Sequence, residues 1–419
     1  MSTKQRLLLS LLLSILPTDA LHHMKRAISQ DISLRDLSRS LVVTNMCQET
    51  VHPAIATQKG TAPNTGGFEL GSGKQRNLTV GADWQGRVWG RTNCTFKFDG
   101  TGSSNNGGYN GGGAACATGD CGGVLDCKNP VCIALTEVFR GLSSKTYPND
   151  QGNPPATLAE FSLASYSGQT FYDISLVDGY NIPMGIVSLY PESGNASLTE
   201  IPPNLTNPVC IGTAALLDDE GSTADEYLGT NSSFPIPLDQ TQSKSDVQAW
   251  CPWDLQLSPM TGPSNGVYLY PDQSIQRRVF NPCYSACAKY SKPSDCCTGF
   301  YDSPSACKPS KYSADAKKVC PDAYSYAFDD QDSTFIIPSG GGFEVIFCPP
   351  GRSTTILSTL ANQLHQLAST GHVSSQLLEE LRDEKIVLRT SNGVSRVGAS
   401  GRQISWVAMV VTVGWLLIW

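Results

Sequence analysis

The residues able to do acid–base or covalent chemistry are unevenly spread along this chain. It has 15 cysteines, and between residues 41 and 350 the only histidine is His52. A Ser-His-Asp triad or a histidine-rich metal site therefore has little to draw on, and His52 reads as structural. The neighbouring Cys296 and Cys297 would suit metal or redox work, but in an exported chain the disulfide reading outweighs it. The Gly/Asn-rich run 100–113 lacks the GxxxxGK[ST] order of a phosphate loop and reads as a flexible connection. Carboxylates remain: residues 41–350 hold 18 Lys and Arg against 30 Asp and Glu, a formal charge of −12. That balance argues against nucleic acid and anionic membrane, both held largely by cationic side chains, and leaves a neutral polysaccharide open. Spacing alone singles out no acidic pair. Asp173 and Asp178, five residues apart, fall on opposite faces of a strand unless the chain bends before Gly179.

The elements that must position these groups are short. From 41 to about 350, apolar or alternating runs are separated by Gly, Pro, Asn and Asp clusters, the texture of an all-β domain with many loops. Val42-Val43, Gly86-Arg87-Val88-Trp89, the run 171–177 and Phe343-Glu344-Val345-Ile346-Phe347 are examples. The runs 100–113 and 192–248 read as inserted, mobile surface loops. After 350 the cysteines stop, and Ile356-Leu360-Leu364-Leu367 and Leu377-Leu378-Leu381 follow at helical spacing. This part, 351–392, is read as a stalk, because so short a helix pair is marginal in water by itself.

Both ends carry processing patterns. Residues 1–20 combine Lys4 and Arg6, an apolar run 7–16 and small residues near Ala20, the pattern of a cleaved signal peptide. Residues 21–40, with the dibasic Lys25-Arg26, read as a linker or propeptide. The uncharged apolar run 404–419 follows a polar spacer and the small site Asn392-Gly393. That order is expected of a glycosylphosphatidylinositol signal, with 393–419 removed and Asn392 as the attachment residue. Export makes the cysteines disulfides, and an odd count leaves at least one unpaired. Asn77, Asn93, Asn195, Asn204 and Asn231 each open an N-x-Ser/Thr glycosylation acceptor.

The run Gly113-Ala114-Ala115-Cys116-Ala117-Thr118-Gly119-Asp120-Cys121-Gly122-Gly123-Val124-Leu125-Asp126-Cys127 resembles the signature of the thaumatin-like proteins, the family of thaumatin, osmotin and zeamatin. Gly86-Arg87-Val88-Trp89-Gly90-Arg91 precedes it. Pro154-Pro155-Ala156-Thr157-Leu158-Ala159-Glu160-Phe161, Tyr172-Asp173-Ile174-Ser175-Leu176-Val177-Asp178-Gly179, Cys320-Pro321-Asp322-Ala323-Tyr324-Ser325-Tyr326 and Phe347-Cys348-Pro349 follow in the family's order. The resemblance covers 41–350. It implies an all-β fold, a β-sandwich core with a disulfide-rich second lobe and an acidic cleft between them. It also implies the pairs Cys47 with Cys348, Cys94 with Cys116, Cys121 with Cys127, Cys210 with Cys320, Cys251 with Cys283, Cys287 with Cys296, and Cys297 with Cys307. Cys132 is left over. The family usually has eight pairs, so one is missing here.

The same resemblance carries over a cleft set of one arginine and four acids: Arg87, Glu160, Asp173, Asp178 and Asp329. Asp330 adjoins the last. Some relatives bind or slowly cleave β-1,3-glucan, and such a set suits that task. One protonated carboxyl donates to the glycosidic oxygen while an ionised one acts as nucleophile or base. Glu160 is expected as the acid, Asp173 or Asp178 as its catalytic partner, and Arg87 and Asp329 as substrate-binding residues. The expectation is a monomeric, anchored cell-surface protein engaging β-1,3-glucan or another wall polysaccharide, with no cofactor and no metal. An anchored glucan-active domain suits an organism with a glucan wall, so a fungal source is expected. A non-catalytic wall or adhesion protein, and a defence or inhibitor protein, are the alternatives.

Overall fold

The computed structural model describes residues 38–104, 113–128, 152–165, 168–190, 196–223, 228–229, 233–257, 282–329 and 333–383. The signal peptide, most of the linker, Cys132, Asn195, Asn231, Asp330 and Asn392 with the anchor signal lie outside the described residues.

Among the described residues eleven strands form two sheets. They are β1 (Ser38–Asn45), β2 (His52–Lys59), β3 (Lys74–Gly81), β4 (Gln85–Cys94), β5 (Cys116–Thr118), β6 (Leu158–Ser162), β7 (Gln169–Ser175), β8 (Met184–Leu189), β9 (Val209–Cys210), β10 (Phe335–Pro338) and β11 (Gly342–Phe347). One sheet runs β3-β1-β11-β8-β9; the other runs β10-β7-β6-β4-β2, with β5 beside β4. Among the described strands only β1 and β11, the first and last, pair in parallel.

The residue pattern explains the layers. In β7, Thr170, Tyr172 and Ile174 are buried while Phe171 and Asp173 are only partly covered, so one face enters the sandwich and the other leaves it. β11 is apolar at four of its six positions, as expected for a central strand covered on both faces. Aromatic rings join the two sheets: Phe343 lies 5.1 Å from Phe161 and 4.8 Å from Tyr172, both pairs tilted.

Seven disulfides brace this frame: Cys47–Cys348, Cys94–Cys116, Cys121–Cys127, Cys210–Cys320, Cys251–Cys283, Cys287–Cys296 and Cys297–Cys307. These are the pairs that the resemblance implies. The last three, with Cys210–Cys320, tie together the lobe beside the sandwich. That lobe carries α1 (Lys311–Val319), the first of the three longest helices among the described residues; the others are α2 (Ala361–Thr370) and α3 (Ser375–Asp383).

Three expectations are corrected. Residues 351–383 are not a stalk: Ile356, Leu360, Leu364, Leu367, Val373, Leu377 and Leu381 are all buried in the main core. Helices too short to stand alone gain their stability by docking, here on the domain's own edge strand β10. The run 192–248 is not a free loop over its described parts, where Leu198, Leu205, Val209, Ile236, Leu238 and Val247 enter the same core. Asn204 is 1% exposed, so the folded chain has no room for a glycan on its side chain. Asn77 and Asn93 are exposed.

Candidate active site

The outer face of the six-stranded sheet, turned away from the sandwich core, carries the candidate residues. Antiparallel register sets Ala56 opposite Arg87, Arg87 opposite Glu160, and Glu160 opposite Asp173. One row thus crosses β2, β4, β6 and β7, and directly opposed side chains of this kind have Cβ atoms about 5 Å apart. Arg87 Nε stands 3.5 Å from Glu160 Oε1, and neither side chain is far exposed.

The next row, Ala54, Trp89, Leu158 and Ser175, is closed over. Ala54, Trp89 and Leu158 join Val124, Ala156 and the Cys121–Cys127 bridge in a second small core on this outer face. The covering loop is held from below. Trp89 Nε1 donates to Gly119 O at 2.7 Å. Gly119 has φ +67°, and a Cβ there would come within 2.9 Å of the indole, so both the turn and the close approach require glycine. Arg91, fully buried, donates to the carbonyls of His52, Val124 and Leu125 at 2.9, 2.8 and 2.7 Å. The signature run therefore builds a wall at one end of the acidic row.

Asp178 reaches the row from another element. β7 ends at Ser175, and the chain turns, Gly179 N donating to Leu176 O at 3.0 Å with Gly179 at φ +108°. This is the bend without which a regular strand would point Asp178 away from Asp173. Its carboxyl lies in the electrostatic field of Arg87 and Glu160: burial pushes its pKa up to about 6, Arg87 opposes the shift and Glu160 adds to it. From the lobe, Tyr312 of α1 faces it; burial first and the Asp178 charge second push the phenol well up. Tyr312 also donates to Leu176 O at 2.8 Å, fastening α1 to the turn that carries Asp178. Nothing in the sequence marks Tyr312, because the contact joins positions far apart in the chain.

Asp329 is engaged differently. Its Oδ2 accepts from Ser325 N at 3.0 Å and Ser325 Oγ at 2.9 Å, and Lys317 Nζ of α1 is 3.2 Å away. With Ser313, Ala314, Lys317, Lys318 and Tyr326 it lines a cavity of about 430 Å³ on the lobe. The structure thus gathers Arg87, Glu160, Asp173 and Asp178 around one sheet face and makes Asp329 a fastener between α1 and its following loop.

Comparison with known proteins gives the family of this fold. The model of the Thaumatin family matches residues 45–349, and the chain belongs to that family. It is 33% identical over 308 residues to pathogenesis-related thaumatin-like protein 3.5 of Cryptomeria japonica, covering 73% of this chain and 88% of that protein. To pathogenesis-related protein 5 of Arabidopsis thaliana it is 32% identical over 313 residues, 75% and 91% of the two chains. A solved thaumatin-like xylanase inhibitor aligns at 30% identity over 35% of this chain and 75% of that one, with a TM-score of 0.23. The two named relatives are plant proteins and lend no weight to a fungal source.

Proposed function

We propose that this thaumatin-like protein works outside the cell, engaging β-1,3-glucan through the acidic face of its six-stranded sheet and hydrolysing it slowly. The observation that carries this reading is the cross-strand row Arg87, Glu160, Asp173, with Asp178 turned back towards it. Closely set carboxyl groups in unlike surroundings are what glycosidic cleavage needs, since one must hold a proton while another is ionised.

Seven disulfides fit folding in an oxidising, exported compartment. Among the described residues no helix is long and apolar enough to cross a membrane. Attachment through a glycolipid at Asn392 belongs to this proposal and rests on the sequence pattern of 392–419. Release of the protein from cells by a phosphatidylinositol-specific phospholipase is the expected result; retention after treatment contradicts it.

A second reading, defence or inhibition, is favoured by the names of the relatives, which tie them to pathogenesis. One experiment separates the two. The full-length chain is incubated with soluble β-1,3-glucan at mildly acid pH, beside an E160Q control, and both retention of the polymer and new reducing ends are followed. New ends lost in the control support hydrolysis. Retention without new ends reduces the function to binding, and absence of both transfers it to the defence reading.

A further inference from the structure

We infer that Asp178 is the proton donor of this site and Glu160 its ionised counterpart, reversing the roles that the resemblance implies. The inference rests on the glucan-cleaving reading above and assigns its chemistry.

Glu160 and Asp178 differ in what surrounds them. Glu160 stands in register between Arg87 and Asp173, with the Arg87 guanidinium 3.5 Å from its Oε1. A carboxylate in an arginine pair works as an acceptor of hydrogen bonds. Asp178 has no such clamp: among the described residues no hydrogen bond or ion pair holds its carboxyl. It sits on the turn after β7, where the sandwich meets the lobe, and is only partly open to solvent. The groups facing it are Arg87 and Glu160 from the sandwich and Tyr312 from the lobe. Desolvation without a paired cation favours the neutral acid, and its pKa of about 6 agrees with that geometry. Arg87 thus divides the site: it pairs directly with one carboxyl and acts on the other only through its field.

In the reaction this assigns, Asp178 O–H gives its proton to the glycosidic oxygen, and the C1–O bond breaks with its electron pair going to that oxygen. The ionised Glu160 then meets C1 either directly, as an ester that water later opens, or through a water whose proton it takes. Each route consumes one water and releases two sugar hydroxyls. In the ester route the ionised Asp178 takes the proton of the water that opens the ester; in the water route Glu160 gives its new proton to solvent while Asp178 takes one up, so both carboxyls regain their starting states.

The test compares the full-length chain and its isosteric variants on two substrates of one sugar. One is a β-1,3-glucan, whose alcohol leaving group needs a proton; the other is dinitrophenyl β-laminaribioside, whose leaving group needs none. D178N is expected to lose about 100-fold or more on the glucan, the scale of a general acid, yet to stay within about tenfold on the dinitrophenyl substrate. E160Q is expected to lose both. The reverse pattern, with E160Q sparing the dinitrophenyl substrate and D178N losing both, overturns the assignment. A carbon-13 titration of the side-chain carboxyls reads the same point without turnover. An Asp178 midpoint near 6 is expected, and one in or below the ordinary carboxylate range overturns the assignment whether or not glucan is cut. A wild-type chain that cleaves neither substrate overturns the glucan reading itself, and the donor role with it.

Discussion

At the scale of single residues, the site and the frame hold opposite kinds of strain. Asp178 has its folded-state pKa raised to about 6 by burial, so between the ordinary carboxylate range and that value the folded chain binds the extra proton. Stability contributed there falls as pH rises through the window, because the ionised form is penalised only in the fold. D178N should therefore raise the melting temperature at pH 7 and leave it nearly unchanged at pH 4; a lower melting temperature at pH 7 would contradict this. A functional group whose removal stabilises is the expected signature of a site kept at a cost to stability. His52 works the other way. Burial, with Arg91 adding to it, lowers its pKa from 6.5 to about 4, so the unfolded chain takes up a proton that the fold refuses. Its ring packs 5.2 Å from Phe96, whose ring lies 5.1 Å from the Arg91 guanidinium. Stability is then lost as pH falls from about 6.5 towards 4, and H52Q should flatten that part of a melting-temperature profile, a change readable by scanning calorimetry.

At the scale of elements, the sequence makes some features plain and conceals others for physical reasons. Short strands, the disulfide frame and the acidic set are carried by local motifs, and a strand's period of two shows which side chains of β7 leave the core. Register is not local. That Arg87, Glu160 and Asp173 fall in one row depends on how β4, β6 and β7 are aligned, which no single segment specifies. The helices after 350 mislead for a related reason. Their apolar spacing is visible, but the surface they cover, β10 and the core edge, is set by the rest of the fold. Gln169 of β7 donates to Ala368 O of α2 at 2.6 Å, and Asp322 accepts from Ile356 N and Leu357 N at 2.8 and 2.9 Å, capping the turn that opens the extension. Arg352, 1% exposed, fastens the same stretch by donating to the carbonyls of Asp239, Asp218 and Gln242. Leu367, fully buried on α2, should cost about 2–5 kcal/mol on substitution by alanine, a core-cavity value, and Asp322→Ala about 1–2 kcal/mol as a lost cap. Denaturant unfolding checks both, and values near zero would restore the stalk.

At the scale of the whole molecule, the fold is closed by its own ends. β1 and β11 run side by side, and Cys47–Cys348 joins positions 301 residues apart just beyond them. In the loop-closure model a cross-link of that span is worth about 5.7 kcal/mol through the unfolded state, comparable with the whole stability of many domains. The paired variant C47S/C348S should therefore show a large drop in denaturant midpoint, seen by fluorescence of the buried Trp84 and Trp89, while its acidic row stays intact once folded. That separation matters because the row depends on β4, β6 and β7, none of which carries this bridge. The molecule is thus a frame closed by its first and last strands, with the acidic row on the other sheet.

Whether the acidic row meets a β-1,3-glucan is tested most directly by an amide chemical-shift titration of the full-length chain with laminarihexaose. Shifts concentrated on 85–89, 158–162 and 169–180, weakened by R87Q and unaffected by substitutions at the exposed Phe300, are the predicted result. Saturating shifts confined to other surfaces, or none at millimolar sugar, would contradict it.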